Sequence, residues 1–499
     1  MSQSLYARLA RKFAPERFSP ARREMLKASV AASAGLLLSN CASYKNAMGR
    51  GSKFVNRTVI VVGAGYAGLA CAYELMAAGY TVQVVEARSR VGGRVVTFSD
   101  MPEGRLVEGG GELIGDNHPM WAAYAKKFGL TFREIPDEPA DAQKPLVIGG
   151  KRLDNEAAEK IFKEMDTVLG KLNDAARGID ADKPWTTENA ATLDAFTMAR
   201  WLEEVHASEL CKVAIRAEWE GNNGVAFGVQ SYLAFLTMIK GGGLENFWTA
   251  SETKRCAQGN QALAEAFAKG LTGFLQGSRL RLRAPVAGIS WGPSGARVTL
   301  ASSETLAADD LVLAVPPSVW PGIKFTPALP PELGIQMGVA VKQLSAVKGR
   351  FWEAKKLSAE ANTDGDLSMT WEGTAGYPDG PAELTAFSGG PAAERVRLRS
   401  PADRAAFYRQ TLEGLYPGYG DAVGATRFMD WPSDKWTQAC YSFGAPGQIT
   451  TAGPMIYNGL ERMHFAGEHT CFKFCGYMEG ALNSGAAVAR RIAARDGVV

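Results

Sequence analysis

Histidine is scarce: four residues in a chain of 499, too few to furnish a His-rich metal centre. The seven cysteines are odd in number and scattered, with no paired spacing that would mark a disulfide framework. An excess of one charge is also missing. A net charge of +3, with no basic stripe interleaved with aromatics, excludes a surface built for nucleic acid. No apolar run reaches the roughly 20 residues that cross a bilayer, and there is neither an internal repeat nor a low-complexity tract. What remains is an ordinary globular composition, 46% hydrophobic and 21% charged. A single hydrophobic core stops growing near about 250–300 residues, so two domains, interleaved or consecutive, are expected.

The N-terminus is basic and polar through residue 21. Arg22-Arg23-Glu24-Met25-Leu26-Lys27 follows, then the small-residue apolar run 28–38. A charged region, a short apolar region and small residues make an export signal rather than a membrane span. The paired arginines resemble a twin-arginine signal, which carries folded proteins out of the cytoplasm and suits a protein that loads a cofactor first. Residues 1–50 are therefore expected to be leader and linker, and the protein periplasmic or otherwise extracytoplasmic. Leu38-Ser39-Asn40-Cys41 loosely resembles a lipoprotein box; Asn40 fits it poorly, which leaves a lipid anchor at Cys41 as the lesser alternative.

Thr58–Val62 is a β-branched apolar run, the pattern of a buried parallel strand. It runs into Gly63-Ala64-Gly65-Tyr66-Ala67-Gly68, a helical pattern, a second strand at Thr81–Val85 and then Glu86. This is a βαβ unit carrying the dinucleotide fingerprint. Gly63 permits the tight turn, Gly65 lets backbone approach a pyrophosphate, and Gly68 lets helix and strand pack. The helix N-terminus around Ala67 presents free N–H groups and partial positive charge to phosphate. A carboxylate at Glu86 suits ribose hydroxyls, which disfavours a 2′-phosphate.

The next segment separates FAD from NAD. Glu86-Ala87-Arg88-Ser89-Arg90-Val91-Gly92-Gly93-Arg94 resembles the second glycine motif of the flavin-containing amine oxidase superfamily, and Glu108-Gly109-Gly110-Gly111-Glu112-Leu113-Ile114 resembles the stretch that lies under the flavin ring. The likeness recurs at Arg283-Ala284-Pro285-Val286, at Leu311–Pro317, at Phe325–Pro330, at Phe465-Ala466-Gly467-Glu468 and at Gly476-Tyr477-Met478-Glu479-Gly480-Ala481. It implies an α/β fold: a Rossmann-like FAD-binding domain built from discontinuous segments, 55–145, 245–318 and 455–497, with a substrate domain of mixed β-sheet and helices from 146–244 and 319–454. In such a fold the backbone of Val286 meets the adenine side of FAD, and the helix after Tyr477 aims its N-terminus at the flavin.

The resemblance also distributes roles. Met337–Gln343 followed by Phe351-Trp352 is similar to the segment with the flavin-facing lysine, so Lys342 would hold a water near the ring, with Lys348 as its competitor. Tyr441 and Tyr477 match a pair of parallel rings that form an aromatic slot for the substrate amine. Cys440 occupies the position that monoamine oxidases link to flavin; a covalent and a non-covalent FAD both remain open. Cys471, Cys475, His464 and His469 lack ligand spacing, and no metal is expected. The implied reaction removes hydride from the carbon beside a neutral amine; the imine hydrolyses to a carbonyl and ammonia, and O2 becomes H2O2.

Substrate identity is thinner. The cation that binds a substrate carboxylate in amino-acid oxidases is absent from its usual place, where Glu112-Leu113-Ile114 stands. Arg216 and Arg255 are candidate replacements. Trp219, Trp371 and Phe227 are candidates for an apolar pocket, while Glu112, Asp116 and Glu220 could attract a cationic amine tail. The longer pattern favours an L-amino acid, giving a keto acid, over a monoamine or polyamine. A flavin desaturase or protoporphyrinogen-oxidase-like enzyme is the further alternative. A homo-oligomer is compatible with the sequence.

Overall fold

Five short strands rich in Val, Ile and Leu build the central sheet of the computed structural model, which describes residues 4–18, 55–139, 141–273 and 279–499. Their order is Met463–Phe465, Asp310–Leu313, Thr58–Val62, Thr81–Val85 and Arg279–Arg281, all parallel. Val59, Val61, Val82, Leu311 and Val312 are fully buried, as expected of strands covered on both faces. Helix Tyr66–Ala77 covers one face and packs along the C-terminal helix Met478–Arg495. Pieces of chain about 400 residues apart thus share one sheet and one helix pair, a Rossmann-like fold in an α/β frame.

A second body holds a largely antiparallel sheet in the order Val423–Asp430, Ala340–Val347, Ala382–Gly389, Met369–Glu372, Asn362–Thr363, Leu146–Ile148 and Lys151–Arg152. Helices Asn155–Ala176, Glu209–Asn223 and Tyr232–Gly241 pack beside it. Each begins at a side-chain cap, from Asp154, Ser208 and Ser231 respectively, which satisfies one otherwise orphaned N–H. A four-stranded sheet, Thr305–Ala308, Gly295–Leu300, Val286–Gly292 and Lys324–Thr326, bridges to the nucleotide body.

The described part of the N-terminal region is folded into this second body. Helix Leu5–Phe13 starts at a Ser4 cap, and Leu5, Tyr6, Ala7, Arg8, Leu9 and Ala10 are all buried. The twin arginines Arg22 and Arg23, the apolar run after them and Cys41 lie outside the described residues. Among the described residues, no helix is long and apolar enough to cross a membrane.

Candidate active site

A cavity of about 380 Å³ opens at the carboxyl ends of the parallel strands, where sheets of this topology place their ligands. Gly63, Gly65, Ala67, Glu86, Ala87, Arg88, Gly93, Arg94, Gly111, Val286, Cys440, Tyr441, Gly467, Glu468, Gly476, Tyr477 and Met478 all line it. These residues come from every glycine-bearing motif singled out in the sequence. Gly63 has φ +105°, and a Cβ there would stand 2.6 Å from the Ala314 carbonyl oxygen. Gly68 stands behind the wall, where a Cβ would drive into the Gly63 carbonyl. Positions 63 and 68 are therefore closed to any side chain, and the N-terminus of helix Tyr66–Ala77 faces the cavity.

Glu86 organises this end. Its Oε2 accepts from the Ala64 N–H at 2.7 Å and its Oε1 from the Arg88 N–H at 2.8 Å. Each oxygen keeps a second lone-pair site for a ligand hydroxyl. Arg88 in turn donates to Asp434 and Thr437, both at 2.6 Å, tying the second glycine motif to the loop before Cys440.

Glu468 organises the other end. Its carboxylate accepts from Arg94 Nη1 at 2.9 Å, from the Ser442 hydroxyl at 2.7 Å and from the Gly476 N–H at 2.8 Å. Arg94 also donates to the Cys440 carbonyl at 2.6 Å. Burial works against the Glu468 charge, yet Arg94 and the other donors hold its carboxyl below the ordinary value. One buried carboxylate thereby fixes the loop bearing Tyr441 beside the turn bearing Tyr477. Tyr441 lies against Gly476, whose Cβ would be 3.3 Å from the ring, and its hydroxyl donates to the Asn222 carbonyl at 2.7 Å. Burial pushes both phenols well above their usual pKa, so they are neutral rings. Cys440 is buried and burial pushes its thiol up to about 12.

His469 was missed by the sequence reading except as a rejected metal ligand. It lines the cavity at 3% exposure with neither ring nitrogen hydrogen-bonded. Burial pushes its imidazole down to about 4, leaving one donor and one acceptor unmet in the neutral ring, a deficit of about 1–3 kcal/mol per atom. A dinucleotide with phosphate and hydroxyl groups would meet that need, and the bare-glycine turn would admit it. The residues present thus fit FAD. Val315 and Pro316, from the family-like stretch Leu311–Pro317, line the same cavity, as does Thr437, which carried no local signal.

Lys342 is 5% exposed and donates to the Glu108 carbonyl at 3.2 Å, the Gly110 carbonyl at 2.9 Å and Glu112 Oε2 at 2.8 Å. All three ammonium protons meet protein acceptors, so the expected water-holding role has no spare donor. Lys348 is exposed and donates to the Asp421 carbonyl. Glu112 also accepts from Arg255 at 2.9 Å and from Trp371 Nε1 at 2.8 Å; burial raises its carboxyl, but Lys342 and Arg255 prevail and hold it at about 2. Its charge is spent inside the protein, as is that of Asp116, 2.5 Å from Lys254. Glu220 accepts from the Phe227 N–H at 2.9 Å. Leu113, Arg255 and Trp371 line a separate cavity of about 720 Å³. Arg216 needs correction: it is exposed on the outer face of helix Glu209–Asn223, because Ile215, Glu218 and Trp219 take the inward face.

Behind Tyr477 lies a chamber of about 50 Å³ walled by Trp219, Phe235, Trp248, Asn222, Asn223, Glu218 and Glu252, with Ser4 and Ala7 of the N-terminal helix on its outer side. Burial pushes both Glu218 and Glu252 up to about 7. Phe227 packs on Trp219, with ring centroids 6.1 Å apart.

Comparison with known proteins agrees with this geometry. A family profile described as "Flavin containing amine oxidoreductase" matches residues 66–493. A probable flavin-containing monoamine oxidase A of Dictyostelium discoideum is 25% identical over 462 residues, covering 87% of this chain and 97% of the relative. An L-amino acid dehydrogenase of Synechocystis sp. is 26% identical over 474 residues, covering 87% of this chain and 94% of the relative. Among solved structures, a double mutant of putrescine oxidase, redesigned in its cofactor binding, superposes with a TM-score of 0.79 at 25% identity, over 88% of this chain and 99% of that one.

Proposed function

The chain belongs to the family of flavin-containing amine oxidoreductases, and from that premise we propose that it oxidatively deaminates a primary amine bearing no carboxylate, with O2 as final acceptor and H2O2 as product. The observation that carries this reading is the chamber behind Tyr477: besides that tyrosine its lining includes two carboxyls and the four aromatics Trp219, Phe235, Phe247 and Trp248, and no Lys or Arg. A substrate carboxylate would meet Glu218 and Glu252 there, with no Lys or Arg in the chamber lining to pair with it. A free amine is drawn instead to aromatic faces and carboxyls. This reading departs from the L-amino acid favoured by the sequence.

FAD, held along the Gly63 turn, Glu86, Arg88, Arg94, Glu468 and His469, supplies the hydride acceptor when bound. The protein supplies placement and proton control. Tyr441 and Tyr477, fixed through Glu468, restrict the amine to a slot between neutral rings, and such orientation is worth orders of magnitude in rate. Hydride leaves only from an amine whose lone pair is free. Glu252 shares the chamber with Tyr477, and with its carboxyl near 7 it can accept the ammonium proton at physiological pH. Loading the cofactor before export through the twin-arginine route is consistent with a site assembled from both ends of the chain.

One observation favours a second reading. Arg255 is 6% exposed, its Nη1 has no hydrogen-bond partner, and it borders the 720 Å³ cavity. An L-amino acid whose carboxylate reached it would be recognised. A peroxide-coupled screen of the flavin-loaded protein separates the two. Alkylamines and diamines should exceed L-amino acids in kcat/KM by at least about 100-fold, near 2.7 kcal/mol. The opposite ranking, abolished by Arg255→Ala, would establish the amino acid reading.

A further inference from the structure

The helix Leu5–Phe13 precedes every motif of the active site, yet it is anchored as firmly as core structure. The Leu5 N–H donates to Glu218 Oε1 at 2.8 Å, and the Ser4 hydroxyl donates to the Trp248 carbonyl at 3.2 Å. Arg8, 1% exposed, donates to the Ala361 carbonyl at 3.1 Å and Asn362 Oδ1 at 2.9 Å, and its Nε lies 3.7 Å from Glu360. Tyr6 and Arg17 both donate to Asp166. Leu5 and Leu9, 2% and 1% exposed, complete the apolar cluster around Trp219 and Trp248.

This helix stands where the chamber would otherwise open outward. Ser4 and Ala7 line the chamber on one side, and Arg8 lines the 720 Å³ cavity on the other. With the helix seated, the space beside Tyr477 is about 50 Å³, room for only a few waters. We propose that the N-terminal helix is a specificity-determining wall of the substrate chamber, limiting the length of the amine that reaches Tyr477 and admitting longer amines when it leaves. The proposal rests on the reading that this chamber receives the amine. The helix lies N-terminal to Arg22-Arg23, so removing a leader anywhere downstream of those arginines would remove the wall with it and convert a short-substrate form into a long-substrate form.

The wall adds no chemistry; it changes which amine fits. Glu218 accepts from Asn222 Nδ2 and Asn362 Nδ2 as well as from the Leu5 N–H, so it stays held when the helix leaves.

The test uses the full chain, folded and loaded with flavin, carrying a protease site inserted between residues 20 and 50. The intact and cut proteins, the latter freed of the small fragment, are compared for anaerobic flavin bleaching by ethylamine and by octylamine. Cutting should raise kcat/KM for octylamine at least tenfold and change that for ethylamine less than threefold. Equal effects on both amines, or none, overturn the proposal. In the uncut protein, Ala7→Leu should raise KM for ethylamine at least fivefold with kcat nearly unchanged; an unchanged KM counts against the wall. Hydrogen exchange supplies a readout independent of turnover. Loss of the fragment should deprotect residues 218–223 and 245–250 while the parallel sheet stays protected; unaltered protection there overturns the proposal. If neither protein form bleaches with any amine, the proposed function fails, and the exchange arm still decides the placement of the helix.

Discussion

Glu468 offers the most demanding test of how this site is held. It is 4% exposed and accepts from Arg94, the Ser442 hydroxyl and the Gly476 N–H. Glu468→Ala strands these three donors and the Ser442 N–H, which donates to the same carboxylate at 3.2 Å. Removing one partner of a buried ion pair costs about 3–5 kcal/mol, and each stranded donor about 1–3 kcal/mol. The two figures overlap and do not add, because Arg94 remains 24% exposed and water can reach it. The Ser442 hydroxyl can also turn to Cys475, 3.1 Å away. About 3–5 kcal/mol is therefore the expected loss, a large share of the roughly 5–15 kcal/mol that holds a domain together. Urea unfolding of the apoprotein followed by tryptophan fluorescence reads it directly. Equilibrium dialysis should also show FAD bound at least about tenfold more weakly, some 1.4 kcal/mol, because the loop of Tyr441 and the turn of Tyr477 lose their common anchor. Glu468→Gln keeps an acceptor for Ser442 and Gly476 but turns an amide N–H toward Arg94, so it should lose about half as much stability. An alanine variant within about 1 kcal/mol of the parent, with FAD affinity intact, would refute the role given to this carboxylate.

Other expectations follow from buried charge. Glu383 is fully buried among the Ser345 N–H and Thr385 hydroxyl, and burial pushes its carboxyl up to about 8. A raised folded pKa contributes stability that is complete below the unfolded value near 4.5 and is lost as pH rises through about 8. Glu383→Gln should thus leave stability nearly unchanged at pH 5 and increase it by at least about 1 kcal/mol at pH 8; an equal change at both pH values in urea melts would contradict this. Lys342→Met leaves Glu112 with Arg255 as its remaining cation and should lower stability by about 3 kcal/mol or more while the bound flavin keeps its visible spectrum; a colourless variant would place Lys342 in cofactor binding instead. The Cys440 thiol, protonated at neutral pH, is a poor nucleophile, so acid precipitation should leave the yellow colour in the supernatant. A yellow pellet that Cys440→Ala bleaches would establish a thioether.

The nucleotide-binding frame was readable because its determinants are local. A β-branched strand, a glycine turn and a helix start within about ten residues of one another need no distant partner to be recognised, and the acidic end of the second strand follows at a fixed interval. The resemblance extended that reading to Arg94, Cys440, Glu468 and Tyr477, and these positions do line one cavity. The roles of charged residues were less legible. Whether Glu112 attracts a substrate or pairs with Lys342 depends on a strand 230 residues away, and the burial of Glu218 depends on which face of its helix turns inward. His469 carried no signal, since an unmet imidazole is a property of its surroundings.

By itself, then, the amino-acid order determined the parallel sheet, the phosphate-facing turn and the flavin-type motifs, because periodicity and glycine act over a few residues. Only the tertiary structure decided which acids stay charged, where each lysine spends its protons, and that a basic N-terminal stretch forms a chamber wall. Those properties come from desolvation and from partners far along the chain. Arg8 is buried at 1% exposure against Glu360, Ala361 and Asn362, a placement no local pattern around residue 8 could specify.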